Sequence, residues 1–402
     1  MHSETWLIAL LLVALPASGG KPEPDEFTPL IASPLMANTQ PFLGTDGKWH
    51  VVYELVLTNT TATPATLQNL RVFDAHHPSV TIAFYNGAEL RAHLRTLANT
   101  AVAGPEIEFN GTRLFLIDLT FDSRDKIPDR LQHHVDVLAA SSPGHRPTTP
   151  VPLSYSVAPF DLTQQVPEIG APLAGKEWVA LNGCCGMGGV HRTTGLPVNG
   201  RIYFAQRFAI DWMRLDEAGR LVHGDPSDVN NYSSYGADVT AVADGTVVET
   251  LNTLDDQTPG KLPDAKAITL ANVDGNHIIL DLGNGVFAFY AHLQKNSVRI
   301  APGHKVKRGQ VLGKLGNTGN TSAPHLHFQL MDGPSALGSN GIPYVIDGFT
   351  LAGQIPQAKF AAATGVEGNW RAGLLSQPSP RHQQFPLDLA IIDFSLTNES
   401  AR

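Results

Sequence analysis

Apolar and polar residues alternate at period two along most of this chain, and helical apolar stripes are scarce. In the first half the alternation runs through residues 49–59 (WHVVYELVLTN), 66–75 (TLQNLRVFDA), 113–122 (RLFLIDLTFD) and 133–140 (HHVDVLAA), with Gly, Pro, Asn and Asp between the runs. Short strands at that spacing predict an antiparallel, immunoglobulin-like β-sandwich over residues 27–161. Prolines at 143, 147, 150, 152, 159, 167 and 172 predict an extended connector over residues 141–172, overlapping the end of the sandwich. Residues 173–350 again read as strands broken by glycine turns: DVTAVADGTVVETL, GNHIILDLGNGVFAFYAHLQ and KVKRGQVLGKLGNTGNT, with LDDQTPGKLPDAK as a polar loop inserted between two of them. The run FPLDLAIIDFSL predicts one more strand in a C-terminal extension, residues 351–402. The fold class is all-β, mainly antiparallel.

Composition narrows the class without changing this outline. The chain has 402 residues, 42% apolar and 16% charged, which is globular composition with room for two cores. A net charge of -9, from 28 basic and 37 acidic residues with no basic cluster, argues against a nucleic-acid partner. Residues 6–17 form an apolar run followed by small residues, the layout of a cleavable secretion signal over residues 1–20, although Glu4 stands where a Lys or Arg is usual. Twelve apolar residues fall short of the roughly 20 that span a bilayer, so a mature chain with no stable transmembrane span, exported to the periplasm or secreted, is expected. The two cysteines, Cys184 and Cys185, are adjacent and read as loop thiols rather than a disulfide framework. His76-His77 and His133-His134 are chain neighbours that a strand points to opposite faces, so they read as solvated surface histidines and not as chelating pairs.

The stretch SAPHLHFQL, residues 322–330, carries a sharper signal. On a strand His325, His327 and Gln329 share one face, and Leu326, Phe328 and Leu330 the other. The same counting in QRFAIDW groups Arg207 and Asp211 against Phe208, Ile210 and Trp212, and in FAFYAHL it groups Tyr290 and His292 against Phe289, Ala291 and Leu293. A carboxylate and several imidazoles on one side of a sheet suit a divalent metal, Zn2+ first, with a position left open for water.

These residues resemble the lysostaphin-type zinc endopeptidases of bacterial cell-wall peptidoglycan. The resemblance covers residues 178–348 and runs in order through AIDW, YGADVTAVADGTVV, GNHIILDLGNGVFAFYAHL and PGHKVKRGQVLGKLGNTGNTSAPHLHFQL. It implies a lysostaphin-type β-sheet peptidase domain, Zn2+ as cofactor, and peptidoglycan or another exported peptide as substrate. By position it implies Asp211 and His327 as metal ligands and His292 and His325 as the histidines that orient the attacking water and stabilise the oxyanion. The pattern departs where the family has His-x-Gly-x-Asp, because Arg207 occupies the histidine slot and a guanidinium has no lone pair for a metal. His191, on a glycine-rich loop just upstream, is the nearest substitute ligand, and His223 is another. Arg207 is then free to hold substrate, with Tyr290 beside His292, or to pair with Asp216 or Asp225. Two classes of function remain open: a zinc metalloendopeptidase that cuts cross-links or stem peptides, or a degenerate module of the same fold that binds peptidoglycan or regulates another hydrolase.

Overall fold

The structure is a computed structural model that describes residues 25–98, 100–142, 146–163, 165–187, 189–193, 195–362 and 368–394. The expected secretion signal lies outside the described residues. No helix among the described residues is long and apolar enough to cross a membrane.

The first half folds as two sheets on one core. One sheet holds Leu30–Pro34, Trp49–Asn59 and Thr112–Phe121, and the other Val151–Leu162, Arg130–Ala139, Ala65–Asp74 and His77–Asn86. Odd-numbered residues of the Trp49–Asn59 strand, Val51, Tyr53, Leu55 and Leu57, pack into this core with Phe115, Ile117, Val135 and Val137. The even positions His50, Val52 and Glu54 are buried as well. Val52 belongs to the core of the second half, together with Phe42, and Glu54 is 1% exposed. A strand with both faces buried is central in the molecule, so the second half of the chain roofs the sandwich.

Two sequence expectations need correction. The proline-rich connector contains the twelve-residue strand Val151–Leu162, antiparallel to Arg130–Ala139. Its other side pairs with Asn38–Thr39 only at Asp161 and Leu162, so Pro152 and Pro159 sit on a largely free edge where a missing N–H costs little. His133 is not a solvated surface histidine. It is fully buried, with Nε2 2.7 Å from the Tyr53 hydroxyl, and burial pulls its imidazole down to about 4.

The second half is built on one large sheet whose order is Glu168–Ile169, Val345–Gln354, Ala390–Phe394, Gly175–Leu181, Ile210–Arg214, Leu326–Met331, Phe287–Leu293, Asn276–Asp281, Gly245–Leu251 and Lys305–Val306. The expected final strand is two. Leu374–Gln384 pairs along the edge of Val345–Gln354, and Ala390–Phe394 inserts between Val345–Gln354 and Gly175–Leu181. The end of the described chain is therefore a central strand, with Ile391 and Ile392 fully buried and Phe394 stacked edge-on against Trp212 at 5.3 Å.

Burial of Ile391, Ile392 and Phe394 contributes roughly 5–9 kcal/mol at about 1.5–3 kcal/mol each, comparable to the whole stability of a domain, about 5–15 kcal/mol. A chain ending at Thr350 should therefore lose cooperative folding, read as the absence of a sigmoidal thermal melt by circular dichroism; a melt like that of the full chain would contradict this placement.

Candidate active site

The site is referenced to four adjacent strands of the large sheet. Asp211 lies directly across from His327, Leu181 flanks Asp211 on the other side, and Ala291 flanks His327. The alternation read from PHLHFQL holds: Leu326, Phe328 and Leu330 enter the core, while His327 and Gln329 face the other way. His327 Nδ1 comes within 2.9 Å of Asp211 Oδ1, and its Nε2 lies 3.0 Å from Gln329 Oε1. Asp211 and Gln329 thus hold the ring from both sides, with Nδ1 the nitrogen that faces the carboxylate. His325, just before this strand, has Nδ1 2.8 Å from Ala323 O and Nε2 3.3 Å from Asp211 Oδ1.

His292 reaches the same cluster by a different route. Asn276 pairs with Leu293 and Ile278 with Tyr290, so two residues, Ala291 and His292, stand opposite the single His277. This is a bulge, and His292 takes a left-handed φ of 61° within it. Such a conformation costs a non-glycine residue about 1–3 kcal/mol, offset here by bonds from His292 N to Asp274 O and from Nδ1 to Thr318 O at 2.7 Å. Gly275 and Gly319 let the two loops that carry these acceptors touch backbone to backbone, since a Cβ on Gly275 would meet Thr318 O at 2.1 Å. The bulge also corrects the expected phase. Tyr290 faces the core, against Phe328 at 5.1 Å, and its hydroxyl accepts from Val242 N, so it does not share a face with His292 and is closed to substrate.

His191 sits on a four-residue helical turn, Val190–Thr193, in the loop after Gly175–Leu181. Its Nδ1 is held by Ala209 O at 3.1 Å, and Nε2 stands 3.3 Å from Asp211 Oδ2. Asn182, which no pattern in the sequence singles out, donates to the same Oδ2 at 2.7 Å. Earlier on this loop Cys184 and Cys185 are bonded to each other, so they are not the free thiols expected. Arg207 is not a substrate-facing residue. It lies in a turn before the Ile210–Arg214 strand, is 1% exposed, and pairs with Glu54 of the sandwich rather than with Asp216 or Asp225. Asp216 is taken by Arg220, and His223 is exposed.

Residues 229–338 match peptidase family M23. That segment is a peptidase M23 domain within the chain. The matched segment contains His292, His325 and His327 and starts after His191 and Asp211. The chain is 42% identical over 57 residues to the peptidoglycan DD-endopeptidase ShyA of Vibrio cholerae, 14% of this chain and 13% of that protein. It is 35% identical over 115 residues to the glycyl-glycine endopeptidase ALE-1 of Staphylococcus capitis, 26% of each chain, and 48% identical over 58 residues to lysostaphin of Staphylococcus staphylolyticus, 14% of this chain and 12% of that one. The chain thus spans about a quarter or less of the length of these relatives. Among solved structures, the catalytic domain of lysostaphin from Staphylococcus simulans aligns at 24% identity over 36% of this chain and 80% of that one, with a TM-score of 0.21.

The electrostatics of this cluster pull its groups apart. Burial pushes the Asp211 carboxyl up, but the charges of His191 and His325 and their hydrogen bonds win and hold it well below the usual carboxylate range. Burial likewise pulls His191 and His325 down, and Asp211 outweighs it, so both imidazoles lie above their ordinary value. For His292 burial and the neighbouring His325 and His327 act together and hold it well below. Of the triplets among the described residues whose donor atoms lie within 4.8 Å of one another, two belong to this site, His191–Asp211–His327 and His292–His325–His327. The first combines two imidazoles with a carboxylate, and His191 and His327 each have the far ring nitrogen bonded to an acceptor, which is how metal-ligating histidines are oriented. That donor set fits a divalent metal.

The signs of these shifts fix a pH window for the metal-free protein. Asp211, depressed, contributes stability above its ordinary value of 3.8 and loses it only as pH falls through its folded value; His191 and His325, raised, contribute fully below 6.5 and lose it as pH rises through theirs. With a chelator present, the stability advantage of wild type over Asp211→Asn should be larger at pH ~5.5 than at ~8.5 by urea denaturation, and an advantage that grows with pH would contradict the coupling.

Proposed function

We propose that the chain is a zinc-dependent metallopeptidase that hydrolyses peptide bonds in peptidoglycan cross-links or stem peptides, outside the cytoplasm. The observation that carries this reading is the His191–Asp211–His327 triplet beside two further oriented histidines, in a chain whose relatives include a peptidoglycan DD-endopeptidase and a glycyl-glycine endopeptidase. In this reading His191 Nε2, an Asp211 oxygen and His327 Nδ1 hold the metal. Bound there, Zn2+ would polarise the scissile carbonyl and make water a nucleophile near neutral pH. His325 and His292 keep Nδ1 on main-chain oxygens, which turns Nε2 of each into the site, that of His325 beside Asp211, where with the metal bound they would take the proton of the attacking water and stabilise the developing oxyanion. Gln329 and Asn182 hold His327 and Asp211 in place. The Arg207 departure, which favours a degenerate module when read in sequence alone, loses that force because Arg207 is committed to Glu54 and a different histidine stands at Asp211.

Elemental analysis of the purified protein should give about one zinc per chain, lost in His327→Ala. His325→Ala should keep the zinc and lose hydrolysis of purified peptidoglycan by about 100-fold or more. A wild type that binds peptidoglycan but neither holds zinc nor cuts would favour the binding module, and a fully active His325→Ala would overturn the assigned roles.

A further inference from the structure

Glu54 is buried on the sandwich face turned toward the large sheet, and two buried arginines of the second half converge on it. Arg192 pairs with one carboxylate oxygen and Arg207 with the other. Arg192 also donates to the main-chain oxygens of Tyr53 and Ile117, at 3.1 and 3.0 Å, which belong to adjacent strands of the same sandwich sheet. Arg207 adds bonds to Gly341 O at 2.8 Å and to Met36 Sδ at 2.7 Å. Burial lowers Arg192 to about 9 and Arg207 to about 10, so both remain cations at neutral pH.

The chain positions of these arginines give the network its consequence. Arg192 follows His191 directly. Arg207 shares a turn with Ala209, whose carbonyl holds His191 Nδ1 and which stands two residues before Asp211. The two chain segments that form the His191–Asp211 contact are therefore fastened to a single carboxylate from another sheet. His191 is otherwise carried by a short turn in a glycine-rich loop, which has little of its own to define where the ring points. Without the carboxylate, two guanidiniums would remain in a dry space with only the more distant, exposed Asp332 to act on Arg207, a costly arrangement that would displace at least one of them.

Resting on the zinc reading above, we propose that Glu54 is a positioning residue of the metal centre: through Arg192 and Arg207 the N-terminal sandwich fixes the loop that brings His191 to Asp211, so this chain assembles across two sheets a ligand pair that needs no histidine at position 207. The sandwich is then part of the catalytic unit rather than an appended module.

The test is zinc affinity of the full chain, by competition with a chromophoric chelator at a temperature where circular dichroism shows each variant folded. Glu54→Gln should weaken zinc binding by about 10- to 100-fold, the usual effect of losing a group that orients a ligand, and should alter the visible spectrum of the Co2+-substituted protein. Phe42→Leu serves as control, since it loosens the same interface, where Phe42 meets Phe208 and Phe385, while leaving Glu54, Arg192 and Arg207 themselves unchanged, and it should leave zinc affinity unchanged. If Glu54→Gln does not fold, Arg192→Lys gives the same reading, because one ammonium keeps the charge but cannot span Glu54 and both carbonyls. Wild-type affinity in every folded Glu54 and Arg192 variant, or an equal loss in Phe42→Leu, would overturn the proposal. A wild type that binds no zinc would instead sink the zinc reading on which it rests.

Discussion

Asp211 and His327 face each other across two central strands, and the rest of the site takes its position from that pairing. A register slip of one residue would turn both to the core and expose Phe328 or Trp212, so the buried face of the sheet enforces the polar one. Around the pair, His191 arrives from a loop, His292 from a bulge and His325 from the turn before the strand. Each imidazole is held at its far nitrogen by an acceptor, and the near nitrogens fall into two triplets that share His327. Such a set of buried groups is costly unless something satisfies it, and under the proposed function a divalent cation held by His191, Asp211 and His327 would do so.

The second organising element lies behind the site. A single buried carboxylate serves two buried guanidiniums, with exposed Asp332 adding a weaker attraction on Arg207, an arrangement that a well-packed apolar cluster would often equal or exceed in stability. Its retention makes sense as a matter of position. Arg192 and Arg207 each carry a neighbour of the metal triplet, and Glu54 ties both to a strand whose other face is the sandwich core. The departure of Arg207 from the family pattern and the shared core of the two halves are thus one feature seen twice.

Much of the fold is legible because period-two alternation survives wherever a strand has one buried face: residues 49–59 fall on the strand bounds, and the polar face of residues 325–329 is evident from the pattern alone. The phase at Tyr290 and His292 is not legible, since a bulge adds a residue that counting by two cannot register. Arg207 misleads for a different reason. Its partner Glu54 lies 153 residues upstream, and an ion pair of that span leaves no local signal. Val151–Leu162 is hidden by its prolines, which mark a connector in isolation but are tolerated on a free sheet edge. His191 stands out only because the expected ligand is missing, and Asn182 by nothing at all.

The central claim is that His191 has taken over the ligand role that position 207 cannot fill. A zinc-soaked crystal with anomalous diffraction collected on both sides of the zinc edge tests it directly. The account predicts one peak within about 2.0–2.2 Å of His191 Nε2, an Asp211 oxygen and His327 Nδ1. A peak held by His292, His325 and His327 with His191 turned away, or no peak near Asp211, would contradict it.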